Sequence, residues 1–191
     1  MNCQIPVFCD ANVKTIPISG TTILIFEIIM ILLFIGIILY LFKIKHKKTL
    51  RNLLITLIGV ILFELMIEPM VINTGFSSWT YYYNDMSFVI TLGWVLIVGI
   101  SISLIDFTFP KLSEFKKFWL YLCTIDAIAL PIEILLVQTG MRFYSQSLIA
   151  SSYGANIPFT ILPLEVAFAI PMFFALVIGF TKYWEKMLNA K

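Results

Sequence analysis

"TTILIFEIIMILLFIGIILYLFKIKHKK", residues 21–48, decides the class of fold. Residues 21–43 are apolar apart from Glu27 and the terminal Lys43, and a basic run then closes the stretch. At ~1.5 Å of rise per residue, a helix of that length crosses ~30 Å of hydrocarbon. Four further stretches qualify, at 51–72, 88–108, 117–138 and 157–182. The composition agrees: of 191 residues 60% are hydrophobic and only 13% charged, where a soluble domain carries about 25% charge. The expectation is an all-α polytopic bundle of about five transmembrane helices, one integral membrane domain over 1–191. The first span is not expected to be a cleavable signal, because "MNCQIPVFCD" lacks a basic n-region and no small-residue cleavage site follows.

Basic residues set the expected orientation. Loop 43–51 is strongly positive, loop 109–116 carries Lys111 and Lys116, and the tail carries Lys182, Lys186 and Lys191. Only Lys14 and Arg142 lie on the other side. The N-terminal segment 1–20 is therefore expected outside and the C-terminus inside, in a cell membrane. The net charge of +2 describes topology, not a nucleic-acid partner. Cys3 and Cys9 share the outer segment, as a disulfide or as two free thiols, and Cys123 reads as a small apolar residue.

"IEPMVINTGFSSW" (67–79) and "IEILLVQTGMRFY" (132–144) align without a gap. Glu68 pairs with Glu133, Thr74 with Thr139, Gly75 with Gly140, and Trp79 with Tyr144. Spans 2 and 4 run in the same direction, so a parallel helix–loop–helix duplication is expected, with span 1 outside it. Each Thr-Gly reads as a helix stop, glycine supplying the left-handed residue. The aromatic loops that follow read as interfacial belts, for Tyr81, Tyr82 and Tyr83 above all. The second loop is long enough to form a short amphipathic segment or a lid.

Ionisable groups within a bilayer are costly and mark function by default. The spans hold Glu27, Glu64, Glu68, Asp126, Glu133 and Glu165, with Asp106 at a helix end. Counted from the outer ends, Glu68 and Glu133 lie about one turn down, Glu27 and Glu64 roughly two, Glu165 a little over two, and Asp126 near the midplane. Glu64 and Glu68 share a face, as do Asp126 and Glu133. Pro69, Pro131 and Pro163 lie beside these acids, and a proline frees a backbone carbonyl to accept from a carboxyl group. No Lys or Arg is expected within a span to neutralise the acids. The implied site is a polar cavity roofed by aromatics, in which a neutral carboxylic acid donates a proton and aromatic faces stabilise a cation. The alternative for any single acid is a hydrogen bond that holds two helices together.

Absences narrow the choice. No lysine is expected inside a span, so a retinal Schiff base is not expected. His46 is the only histidine and sits in a basic loop, so no metal site is expected. No aspartate-rich run for magnesium pyrophosphate occurs, which argues against a prenyltransferase.

The stretch 132–174 resembles the membrane-embedded carotenoid-biosynthesis families, both the carotenoid 1,2-hydratase type and the lycopene cyclase domain. The resemblance rests on Glu133, Thr139-Gly140, Phe143-Tyr144, Pro163-Leu164-Glu165 and Phe173-Phe174. Glu68, Gly75 and Trp79-Thr80-Tyr81 are similar to the first half of the cyclase domain. Val166 stands where that domain has a second acid, and "TLGWVL" where its Pro-x-Glu helix would be. Membrane terpene cyclases are similar in style.

The resemblance and the acids together imply cofactor-independent, acid-initiated cyclisation or hydration of an isoprenoid lipid within the membrane. Expected catalytic residues are Glu165, Glu133 and Glu68, supported by Glu64 and Asp126. Trp79, Trp94, Arg142, Phe143 and Tyr144 are expected at the substrate. The alternatives are a proton- or cation-coupled carrier and a non-catalytic membrane subunit. Five helices barely enclose a cavity, so homo- or hetero-oligomers are expected under any reading.

Overall fold

The computed structural model describes residues 16, 18–43, 47–152, 154–158, 160 and 162–189. Cys3, Cys9, Lys14, His46 and Lys191 lie outside the described residues.

Among the described residues, five helices are long and apolar enough to cross a membrane. They are α1 (Gly20–Lys43), α2 (Lys47–Ile67), α3 (Phe88–Thr108), α4 (Glu114–Gln138) and α6 (Leu164–Asn189). The helical, multi-span expectation stands at that level. The short elements cluster at one end of the bundle, termed here the strand end. They are β1 (Val71–Asn73), β2 (Tyr81–Tyr83), β3 (Met86–Ser87), β4 (Arg142–Tyr144) and α5 (Gln146–Ser151). The opposite end, with the lysine-bearing helix termini, is the basic end.

α3 forms the centre of the bundle. Val89, Val95 and Val98 are fully buried there with Val60 of α2, Ile125 of α4, and Val177 and Ile178 of α6. α1 is peripheral and buries only Glu27, Phe34 and Leu41. At Gly99 a Cβ would fall 2.8 Å from Leu53 Cδ1, so the missing side chain lets α3 approach α2.

The two aligned stretches end their helices differently. At the second, Gly140 has φ +71°, its N–H donates to Val137 O, and Met141 N–H donates to Leu136 O. That bond pair is the glycine-terminated C-cap expected from the sequence. At the first, Pro69 comes earlier: α2 stops at Ile67, a 3-10 turn runs over Glu68–Met70, and β1 follows. Gly75 (φ +80°) therefore turns a loop and caps no helix. β1 instead pairs antiparallel with β4, matching Val71 to Tyr144, Ile72 to Phe143 and Asn73 to Arg142.

The fifth helix also corrects the sequence reading. It starts at Leu164, not 157, because residues ahead of it form an antiparallel bridge, Asn156 to Pro163. Glu165 thus sits in the first turn of α6, at the strand end, not two turns deep. The long loop folds back, packing Leu148, Ile149 and Leu162 over Val71, Val137 and Tyr144.

Candidate functional site

A cavity of about 50 Å³ lies near the strand end. Glu64 (α2), Trp94 (α3), Glu133 (α4), Arg142 (β4) and Phe173 and Phe174 (α6) line it, with Ile67, Val71, Met86 and Ile170. At roughly 10–15 Å³ of accessible space per water, it has room for a few waters.

β4 supplies the cation. Alternation along a strand puts Arg142 and Tyr144 on one face and Phe143 on the other. Arg142 Nη1 donates to Glu133 Oε2 at 2.7 Å and Nε to Asn73 Oδ1 at 2.8 Å. Asn73 is itself fixed, its Nδ2 donating to Asp85 O at 2.8 Å. The Tyr144 hydroxyl donates to the other oxygen of Glu133. Arg142 also lies 5.7 Å from the centre of the Trp94 ring, within cation–π range. A buried ion pair is tolerable when the remaining donors and acceptors are satisfied, and here β1 and β4 bring Asn73 to the Arg142 Nε and Tyr144 to the second oxygen of Glu133.

Glu64 has a different environment. Its Oε2 accepts from Thr91 Oγ1 at 2.5 Å and from the Tyr82 hydroxyl at 3.2 Å, all uncharged donors. Burial, and then the Glu64 charge, push the Tyr82 phenol up to about 12. Burial, and then Glu133, push the Tyr144 phenol well above its ordinary value. Both phenols therefore stay protonated and donate. With two carboxyl groups and one guanidinium, the cavity is neutral only when one acid carries a proton.

The expected site residues separate into two groups. Glu64, Glu133, Trp94 and Arg142 line one cavity, with Tyr144 directly behind Glu133. Glu68 lies in the 3-10 turn, accepts from Asn84 Nδ2 at 2.7 Å, and is not a lining residue. Glu165 is also outside the lining, as is Asp126, which is half-buried on α4 with Oδ1 lacking a hydrogen-bond partner among the described residues. Trp79 is 53% exposed and packs on Phe88 at 5.6 Å, a surface aromatic. Glu27, although fully buried, accepts from Ser77 N and Oγ at 2.6 and 2.7 Å and tethers α1 to the loop.

The expectation of unneutralised acids is overturned. Arg142 reaches Glu133 from outside the spans because β4 turns back onto α4. Lys117 and Lys182, at the edges of the expected spans, lie inside α4 and α6, so those spans do contain lysine. Both meet Asp106, at 3.2 and 2.8 Å, together with the Tyr121 hydroxyl. The sequence reading missed Thr91, Asn73 and the reach of Tyr82. The available signal was Arg142 itself, one of only two arginines in the chain.

Among the described residues, no group of three or more His, Cys, Asp or Glu could hold a metal ion. The chain matches no family model, no curated protein and no solved structure. Function therefore rests on the site.

Proposed function

We propose that this chain is a membrane enzyme that carries out acid-initiated cyclisation or hydration of a polyprenyl or carotenoid-like lipid, without a redox cofactor. The observation that carries the reading is the meeting of Glu64 and Glu133, from different helices, around Arg142 in a cavity walled by Trp94, Phe173 and Phe174. Glu133, bonded by a guanidinium and a phenol, serves as the anion. Glu64, held only by hydroxyls, serves as the proton donor. Its O–H bond breaks as a C–H bond forms on the alkene, leaving a carboxylate and a carbocation. The cavity then carries a net negative charge opposite that cation, and the aromatic faces add to its stabilisation. Attack of a second alkene of the same chain on the cation closes a ring, and loss of a proton to a carboxylate then gives a cyclised isomer. Capture of water, with the proton of the resulting oxonium returned to a carboxylate, gives the hydrated product.

In this reading the strand end faces outward, the N-terminus is outside and the C-terminus inside a cell membrane. The 67–79 and 132–144 stretches descend from a parallel duplication whose halves have diverged. A proton- or cation-coupled carrier is the second reading. It draws on the same cavity, whose Glu64 and Glu133 carboxyl groups would bind the proton or cation.

Expression beside a lycopene pathway, followed by lipid extraction and mass spectrometry, tests the proposal. A product heavier by water marks a hydratase and an isomer marks a cyclase. An unchanged lipid pool, with Glu64-dependent proton flux in liposomes, would replace the enzyme with a carrier.

A further inference from the structure

The charged cavity is too small for any lipid, so a lipid must be seated beside it. Next to it runs a groove of about 550 Å³ between α1, α3 and α4, within the ~300–1,000 Å³ range of ligand pockets. Its walls are aliphatic and aromatic. The hydroxyls at its end are already engaged: Thr139 Oγ1 donates to Leu135 O at 2.7 Å, and Thr22 Oγ1 lies 2.8 Å from Ser19 Oγ. On the α1 side, Phe26 and Leu33 line the groove yet remain 38% and 44% exposed, so it opens toward the surrounding lipid.

Trp94 lines both spaces. Its indole packs on Phe174 at 5.6 Å and lies under Arg142, so one residue borders both the dry groove and the cavity that holds the two carboxyl groups.

We infer that the groove seats the hydrocarbon tail of the polyprenyl substrate, entering laterally past α1, and that Trp94 is the partition its reacting end must pass. The identity of the chain rests on the reaction proposed above. Continuity with the charged cavity favours this occupant over a bilayer phospholipid. A phospholipid acyl chain would bring an unreactive saturated end to Trp94, whereas a polyprenyl chain brings an alkene.

The test uses the full chain in phospholipid vesicles, with Trp79, Trp119 and Trp184 changed to Phe. These three are 53%, 51% and 42% exposed, and Trp94 is the fourth and last tryptophan. A short polyprenol dibrominated at its terminal double bond serves as quencher, compared with phospholipid brominated in its acyl chains at equal bromine content. Trp94 emission should fall several-fold more with the polyprenol. Gly93→Leu should abolish that difference, because a Cβ at Gly93 already meets Met30 Cε at 3.4 Å and a leucine fills the groove. Ile97→Phe, in the same wall, gives the same readout should Gly93→Leu fail to fold. Equal quenching by both probes would mean boundary lipid only and would overturn the inference, as would quenching unchanged in the filled variants. Turnover without selective quenching removes the groove and leaves the reaction. Selective quenching without any product removes the reaction and leaves the groove.

Discussion

Arg142 Nη1 stands 2.7 Å from Glu133 Oε2, with the two residues 6% and 3% exposed. This pair ties the loop after α4 back onto the helix. Removing one partner of a buried pair leaves an uncompensated charge and costs about 3–5 kcal/mol. Arg142→Gln should therefore destabilise strongly, and the Arg142→Gln, Glu133→Gln double variant should recover part of the loss. Denaturant unfolding in micelles gives the coupling from the double-mutant cycle. Additive losses would mean that the two side chains do not act as a pair.

The four glutamates should not weigh equally in turnover. A positioned general acid contributes about 10²–10⁴-fold. Glu64→Gln should fall in that range while keeping the fold, whereas Glu133→Gln, which leaves Arg142 buried without its counter-ion, should lose stability together with turnover. Glu68→Gln, whose amide oxygen still accepts the exposed bond from Asn84, should change rate by less than about tenfold, or 1.4 kcal/mol. Glu165→Gln should resemble Glu68→Gln, because Glu165 does not line the cavity. A hundredfold loss at Glu165 beside a small one at Glu64 would move the chemistry to the start of α6.

Tyr82 links the cavity to the surface, and its phenol is raised to about 12 by burial and then by Glu64. The folded value exceeds the ordinary value of about 10. Its contribution to stability is therefore complete below pH ~10 and lost as pH rises through about 12. Tyrosinate absorbance should contain late-titrating phenols, and Tyr82→Phe should remove one of them while leaving that of Tyr144. An amplitude unchanged in that variant would assign the late titration elsewhere.

The spans were legible because apolar length is a one-dimensional property, and the cap at Gly140 was legible because its bonds are local. The end of α2 was misread: Pro69 acts before Gly75, and local pattern alone does not rank two stops. The start of α6 was misread because the Asn156–Pro163 bridge lies within an apolar stretch that scores like a helix. At the site, the acids and Trp94 stood out by type, but their grouping did not. It depends on β1 pairing with β4, a contact between residues about seventy apart that brings Asn73 and Arg142 together. Thr91 carried no signal, since a hydroxyl in a helix more often bonds its own backbone.

At the basic end, Asp106 accepts from Lys182 at 2.8 Å, Lys117 at 3.2 Å and the Tyr121 hydroxyl, joining α3, α4 and α6. Lys117 is buried, and losing Asp106 leaves it only the longer contact with Glu114, at 3.8 Å. Asp106→Asn should lower stability by about 1–3 kcal/mol. Tyr121→Phe, which removes one hydrogen bond and no charge, should cost less. Both are read from thermal unfolding in micelles, and an Asp106→Asn protein as stable as the parent would show the cluster to be solvated.

The last prediction concerns direction, on which every statement about access depends. Lys47 begins α2 at the basic end, and Ser78 lies in the loop at the strand end, so α2 and the turn after it separate them. Lysine and arginine are retained on the cytoplasmic side, and the termini of four helices place lysines at the Lys47 end. Arg142, the exception at the other end among the described residues, is ion-paired to Glu133 and presents little free charge to the translocation machinery. A Lys47→Cys variant should therefore react with a membrane-impermeant thiol reagent only after permeabilisation, and a Ser78→Cys variant in intact cells. The native Cys123 is exposed on α4, so both variants are made in a Cys3→Ser, Cys9→Ser, Cys123→Ser background. The opposite labelling pattern would put the Glu64–Glu133 cavity near the inner surface, and a substrate would then have to reach α1 from the cytoplasmic leaflet.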